Sequence, residues 1–256
     1  MRAAPPKNPS VALLVTCLVD LLRPQVGFAA VTLLERAGCK VSVPEAQTCC
    51  GQPAYNSGDR KDAQKIARQV IETFAGFDYV VAPSGSCAGM VRVHFADLFA
   101  DDSAWAAKAK ELAARTYELT QFLTDVMGVA DVAAAQSGTA IYHDSCSGLR
   151  ELGIKAQPRA LLASVSGLEI KDYAGSEACC GFGGTFCVKY PEVSDRIVGQ
   201  RTTELAATPG DLLVGGDLGC LINLAGKLSR EGSTLRVFHV AEILAGEPGP
   251  AIGEPS

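Results

Sequence analysis

The triplet Cys-Cys-Gly occurs twice, at 49–51 in "AQTCCGQPAYNSG" and at 179–181 in "SEACCGFGGTFCVK", and the rest of the chain falls into register around it. Upstream, "VALLVTC" ends at Cys17 and "TAIYHDSC" ends at Cys146. Cys17 is separated from Cys49 by 31 residues, and Cys146 from Cys179 by 32. Downstream, "YVVAPSGSC" ends at Cys87 and "DLLVGGDLGC" at Cys220, with 36 and 39 residues between each and its pair. The segments that follow, "TYELTQFL" and "VFHVAEIL", also agree. Self-similarity at this period means a duplicated domain and not a short-repeat solenoid. The expected organisation is therefore a first cysteine-rich half at 1–130 and a second at 131–256. The Pro/Gly-rich tail "GEPGPAIGEPS" reads as disordered, and the first ten residues are candidates for disorder too.

Each half reads as alternating strand and helix. "VALLVT" is a short continuous apolar run, as in a strand covered on both faces. Residues 26–37 follow as a helix that Gly38 is placed to end. "KVSVP" is a second strand. The segment from Asp59 has helical period, with Ile66, Val70, Ile71 and Phe74 on one side. "DYVVAPS" is a third strand. The second half repeats this with "TAIYHD", "LEIKDYA" and "DLLVGG". The expected fold class is α/β, as two duplicated Rossmann-like halves, each a mainly parallel sheet with helices on both faces.

That topology decides where the cysteines go. The first follows strand one, the pair follows strand two and the last follows strand three. Parallel strands end on one side, where open α/β sheets hold their ligands. Four sulfurs per half should gather there.

Ten cysteines in 256 residues would mean disulfides in a secreted protein. Here the N-terminal apolar run is broken by Asp20 and lacks a small-residue cleavage site, and no stretch is long enough to span a bilayer. A cytoplasmic chain with reduced thiols is expected, where clustered cysteines bind metal or do redox chemistry. The net charge of −5 advertises no nucleic-acid or membrane-surface partner. Zinc is one candidate occupant, but structural zinc favours Cys-x2–4-Cys pairs, and three residues before the last cysteines stand Ser84 and Asp217. Adjacent cysteines suit a larger cluster, and four thiolates per half are the normal ligands of iron–sulfur clusters. A nucleotide loop at 181–186 fails, because position 186 is Phe186 where the Gly-x-Gly-x-x-Gly pattern needs glycine. Phe182 and Phe186 are either a shield for the cluster or ordinary core.

Two cysteines lie outside the repeat. Cys39 aligns with Leu168 and reads as a small buried apolar residue. Cys187 has no counterpart and is either a spare thiol or an extra ligand. His143 could abstract a proton, but its counterpart is Leu14 and a structural role is the stronger reading. His94 and His239 have no better claim. Lys189 and Arg196 could meet a carboxylate or form a solvated helix face.

Two copies of Cys-x31–32-Cys-Cys-Gly-x35–38-Cys, with "CCGFGGTF" in the second, resemble the cysteine-rich CCG-domain family over about residues 10–245. That family includes the cysteine-rich component of heterodisulfide reductase and the glycolate oxidase iron–sulfur subunit, and the stand-alone pair of domains is most similar to its lactate-utilization branch. The resemblance implies cluster ligation by Cys17, Cys49, Cys50 and Cys87 and by Cys146, Cys179, Cys180 and Cys220. It implies an oxidoreductase subunit that passes electrons during oxidation of L-lactate, a 2-hydroxy acid, to pyruvate. The implied partners are lactate utilization proteins B and C or equivalent iron–sulfur subunits. One departure stands out: the heterodisulfide reductase component has a fifth cysteine where this chain has Ser84 and Asp217. That leaves open a [4Fe–4S] cubane, or a noncubane site with help from Ser84, Asp217 or Cys187. A heterodisulfide-reductase-like subunit, a glycolate oxidase iron–sulfur component and a structural or metal-storage protein are the competing readings.

Overall fold

The computed structural model describes residues 6–246 and 248–254. The chain divides into two compact units, Met1–Val129 and Ala130–Ser256. Each is built on a four-stranded, all-parallel sheet surrounded by helices.

In the first unit, β1 (Ser10–Leu13), β2 (Lys40–Ser42), β3 (Tyr79–Ala82) and β4 (Thr116–Glu118) lie in the order β2-β1-β3-β4. In the second, β5 (Ala135–His143), β6 (Ser166–Lys171), β7 (Leu212–Gly215) and β8 (Arg236–His239) lie in the order β6-β5-β7-β8. The central strands are the most apolar. Val11, Ala12, Leu13, Val80, Val81 and Ala82 are buried, as are Ala140, Ile141, Leu212, Leu213 and Val214. Covered on both faces, they need no polar alternation. The edge strand β2 keeps Lys40 exposed. The sequence reading has three strands per half. The fourth, β4 and β8, is the matched pair of segments at "TYELTQFL" and "VFHVAEIL". Each gives only three or four residues before turning into a helix, too short a run to announce itself.

The helix Arg60–Thr73 illustrates how local sequence builds the layer. Asp59 caps it by accepting from the Asp62 N–H at 3.1 Å, a contact worth about 1 kcal/mol. Ala63, Ala67, Val70 and Ile71 are its buried face, and their spacing puts them on one side. Ile66, expected on that side, is only half-buried.

The C-terminal segment is not the loose tail expected from its composition. The Ile252 N–H donates to the Val237 carbonyl at 2.8 Å, Ala251 is buried, and Ile252 packs on the core of the second unit. One apolar pair in an otherwise Pro/Gly-rich stretch suffices to dock it beside β8. At the other end, Ser10 already begins β1, and residues 1–5, like 255–256, lie outside the described residues.

Candidate metal centres

The three turns that follow the first three strands of each unit carry the cysteines. Cys17 opens the helix Cys17–Leu22 just after β1. Cys146 opens the helix Cys146–Leu152 just after β5, where Ser145 accepts from the Gly148 N–H at 3.1 Å. Cys87 sits in the first turn of Gly85–Gly89 after β3, and Cys220 in the first turn of Leu218–Arg230 after β7. The pairs lie in the loops after β2 and β6. Amides at a helix N-terminus favour negative sulfur.

The glycine of each triplet has a definite task. Gly51 and Gly181 both have φ +85°, the left-handed region that costs other residues a Cβ clash. In that conformation each glycine turns its own N–H back onto the first sulfur of the pair. The contacts are Gly51 N to Cys49 Sγ at 3.4 Å and Gly181 N to Cys179 Sγ at 3.3 Å. The same triplet therefore makes the same turn in both units.

The thiols converge. Cys17 Sγ donates to Cys49 Sγ at 3.7 Å. Cys50 bonds to both Cys49 and Cys87. In the second unit Cys146 bonds to Cys179, and Cys180 bonds to both Cys179 and Cys220. Cys49 is drawn down to about 3, chiefly by the hydrogen bond from Cys17 and then by that from Cys50. Cys179 is drawn down to about 2 by Cys146 and then Cys180. Cys17 and Cys146 are pushed far above the usual thiol range by giving that bond and by burial. Cys50 and Cys180 are raised by the same contacts and burial. Thiols brought so close cannot all ionise together, because like charges repel. A strongly cationic occupant removes that restriction. The donor set fits a thiolate-bound metal or iron–sulfur cluster.

The remaining candidates sort cleanly. Ser84 accepts from the Cys87 N–H at 3.2 Å and is the N-cap of its helix. Asp217 holds the corresponding N-cap position. Cys39 is buried and raised by burial to about 11. Cys187 is half-buried and donates to the Gly184 carbonyl of its own loop at 3.5 Å. Phe182 packs on the core and covers Gly219, where an added Cβ would lie 2.5 Å from its ring. Phe186 pairs with Tyr190 at 5.6 Å. His94 lies tilted against the Tyr55 ring at 4.8 Å, and His239 caps the helix Val240–Ala245 by accepting from the Ala241 N–H. Lys189 and Arg196 are exposed.

Three features escaped the sequence reading. A ring nitrogen of His143 and the Sγ atoms of Cys180 and Cys220 lie within 4.8 Å of one another. His143 also holds the Tyr173 hydroxyl at 2.6 Å. Its burial lowers the imidazole to about 4, so the ring is neutral. The second feature is the buried Asp144, gripped by both terminal nitrogens of Arg159 at 2.8 and 2.7 Å. It ties the end of β5 to the helix Ala156–Ala163 two residues from Cys146. The third is a cleft of about 470 Å³ that reaches Cys17 and Cys49. Asp20 and Glu45 line it, and among the described residues no basic side chain does.

Comparison with known proteins agrees with this architecture. The family model described as CCG, cysteine-rich domain, matches residues 11–92 and 140–225. Lactate utilization protein A of Geobacillus kaustophilus is 51% identical over 91% of this chain and 98% of its own length. Its counterpart in Shouchella clausii is 50% identical over 92% and 98%, and that of Bacillus subtilis 49% over 91% and 98%. With both cysteine-rich modules matched and relatives of this similarity aligned nearly end to end, the chain belongs to the CCG cysteine-rich domain family that includes lactate utilization protein A.

Proposed function

We propose that the chain is an iron–sulfur redox subunit of an L-lactate oxidising system in the cytoplasm, with one cluster in each unit. Cys17, Cys49, Cys50 and Cys87 hold the first and Cys146, Cys179, Cys180 and Cys220 the second. The observation that carries this reading is the convergence, in each unit, of four thiols from the ends of three neighbouring parallel strands. Lactate enters through the named relatives. When bound, such a cluster accepts and releases single electrons.

The chain's own residues do the rest. Gly51 and Gly181 aim N–H groups at sulfur, which favours the more reduced, more negative state. Cys50, Cys87, Cys180 and Cys220 are buried, so half of each ligand set is shielded from water. The cleft at Cys17 and Cys49 presents the carboxylates of Asp20 and Glu45. A lactate anion is repelled there, which favours relay of electrons over dehydrogenation of the acid at this site. The hydride-level chemistry then belongs to partners, lactate utilization proteins B and C or equivalent subunits.

Iron and acid-labile sulfide on anaerobically purified protein, with low-temperature EPR, test the reading. About eight irons per chain, four for each four-thiolate set, is the expected result. Cys50→Ser and Cys180→Ser should each remove about half. Zinc in place of iron overturns the redox reading. Anaerobic pull-down should recover an iron–sulfur partner, and full lactate oxidation by the isolated chain would sink the partner assignment.

A further inference from the structure

We propose that His143 donates a hydrogen bond from Nε2–H to the Cys180–Cys220 edge of the second centre, and that this bond sets a cluster there at a higher reduction potential than the first. The inference rests on the iron–sulfur reading above.

His143 is the last residue of β5 and is 1% exposed. Its Nδ1 is engaged by the Tyr173 hydroxyl at 2.6 Å, with the two rings stacked at 6.2 Å. Its Nε2 is buried and has no hydrogen-bond partner among the described residues. A buried polar atom left in this way calls for an explanation. Within 4.8 Å of the imidazole stand the sulfurs of Cys180 and Cys220.

The tautomer follows from chemistry. A phenol hydroxyl is a good donor, and imidazole nitrogen a good acceptor. Tyr173 is itself 4% exposed in the same core. With its hydroxyl donating to Nδ1, the ring proton of the neutral imidazole resides on Nε2. A ring nitrogen of His143 lies within 4.8 Å of both sulfurs, and because Nδ1 is taken by Tyr173, the donor offered to sulfur is Nε2–H. As a thiol, neutral sulfur is a weak acceptor, which accounts for the orphaned nitrogen. As a cluster thiolate it is a strong one. Hydrogen bonds to cluster sulfurs stabilise the added negative charge of the reduced state and raise the potential.

The first unit lacks this device. The position equivalent to His143 is Leu14, which is fully buried and carries no proton to donate. The Cys-Cys-Gly turn is the same in both units, with each glycine at φ +85°. His143 is therefore a positioning residue for electron affinity that distinguishes two otherwise similar centres.

The test is a potentiometric titration of the anaerobic holoprotein, followed by EPR, on wild type, His143→Leu and His143→Asn. Wild type should show two potentials. His143→Leu should lower one and leave the other. At a fixed applied potential the reduced-to-oxidised ratio of that centre should fall about tenfold, or 59 mV for one electron. His143→Asn, which restores an N–H donor, should recover part of the shift. Electron–nuclear coupling on wild-type protein with ¹⁵N-histidine supplies a readout that does not depend on a variant folding. A weak nitrogen coupling with an exchangeable proton at one centre is expected. Strong coupling, as from nitrogen bound directly to iron, or none at all, overturns the proposal. Iron and sulfide at the wild-type level with both potentials unmoved in His143→Leu also overturn it, and it alone. A wild-type chain without iron overturns the iron–sulfur reading and this inference together.

Discussion

Replacing the glycine of each triplet by alanine should be harmful at both sites, and worse at the second. Both glycines sit at φ +85°, so alanine at either carries the left-handed cost of about 1–2 kcal/mol. The surroundings then separate them. At Gly51 the new Cβ would meet Ile66 Cγ2 at 3.2 Å, and Ile66 is a half-buried side chain that can turn aside. At Gly181 it would lie 2.9 Å from the Ser194 backbone oxygen and 3.3 Å from Ile197 Cβ. Neither can move without shifting the helix Pro191–Ala206, which also holds the Ser194 hydroxyl bond to the Gly181 carbonyl at 2.8 Å. Overpacking against fixed atoms adds about 1–3 kcal/mol. Gly51→Ala should therefore cost about 1–2 kcal/mol and Gly181→Ala about 2–5. The assay is anaerobic thermal unfolding with iron counted before and after, where 1 kcal/mol is worth about 3–5 °C in a unit of this size. Gly51→Asn should be milder than Gly51→Ala, since asparagine tolerates the left-handed region. Equal effects of alanine at the two sites would refute the packing argument, and no effect at either would refute the assigned backbone conformation.

The other expectations are narrower. Arg159→Met strands the carboxylate of Asp144, which is 2% exposed, and should destabilise the second unit by about 3 kcal/mol. Asp172→Asn, at a half-exposed partner of the same arginine, should change stability by less than about 1 kcal/mol, and denaturant titrations compare the two. Ser84→Ala should cost about 1 kcal/mol through loss of the helix cap and leave the iron count intact; loss of iron would instead make Ser84 a ligand. Alkylation of the loaded protein near pH 8, mapped by mass spectrometry, should label half-buried Cys187 first. Cys39, raised from 9.0 to about 11 by burial, has about a hundredfold smaller thiolate fraction than an ordinary thiol. Because folding holds Cys39 protonated, its contribution to stability is intact below pH 9 and declines as pH rises from 9 toward 11.

The fold and the gathering of sulfurs were legible because they rest on long-period facts. Duplication, apolar strand runs and cysteines after three successive strands survive any local ambiguity. The short fourth strands β4 and β8 were not legible, since three or four residues carry little periodic signal. Docking of the C-terminal segment turned on Ala251 and Ile252 alone, against a composition that argued for disorder. The Asp144–Arg159 clamp joins residues 15 apart, where a sequence offers no rule for pairing one charge with another. The closeness of His143 to sulfur was not legible, although its structural role was: it holds the Tyr173 hydroxyl. Its counterpart is leucine, which made it look structural, although a polar residue newly buried in one copy of a duplicated site can as well mark divergence.

That divergence concentrates at the end of the first strand of each unit. In the first unit the residues before Cys17 are Leu14, Val15 and Thr16, with Thr16 at a positive φ of 71°, a strained conformation that costs about 1–3 kcal/mol. In the second, His143, Asp144 and Ser145 precede Cys146. Each is put to use: His143 binds Tyr173, Asp144 is locked by Arg159, and Ser145 caps the helix. The polypeptide that delivers the first cysteine is thus apolar and strained in one copy, polar and relaxed in the other. Duplication alone would have produced two equal centres. On the proposed iron–sulfur reading, two unequal centres give electrons a preferred residence, and the residues that differ lie within three positions of a proposed ligand while leaving the four-sulfur pattern untouched.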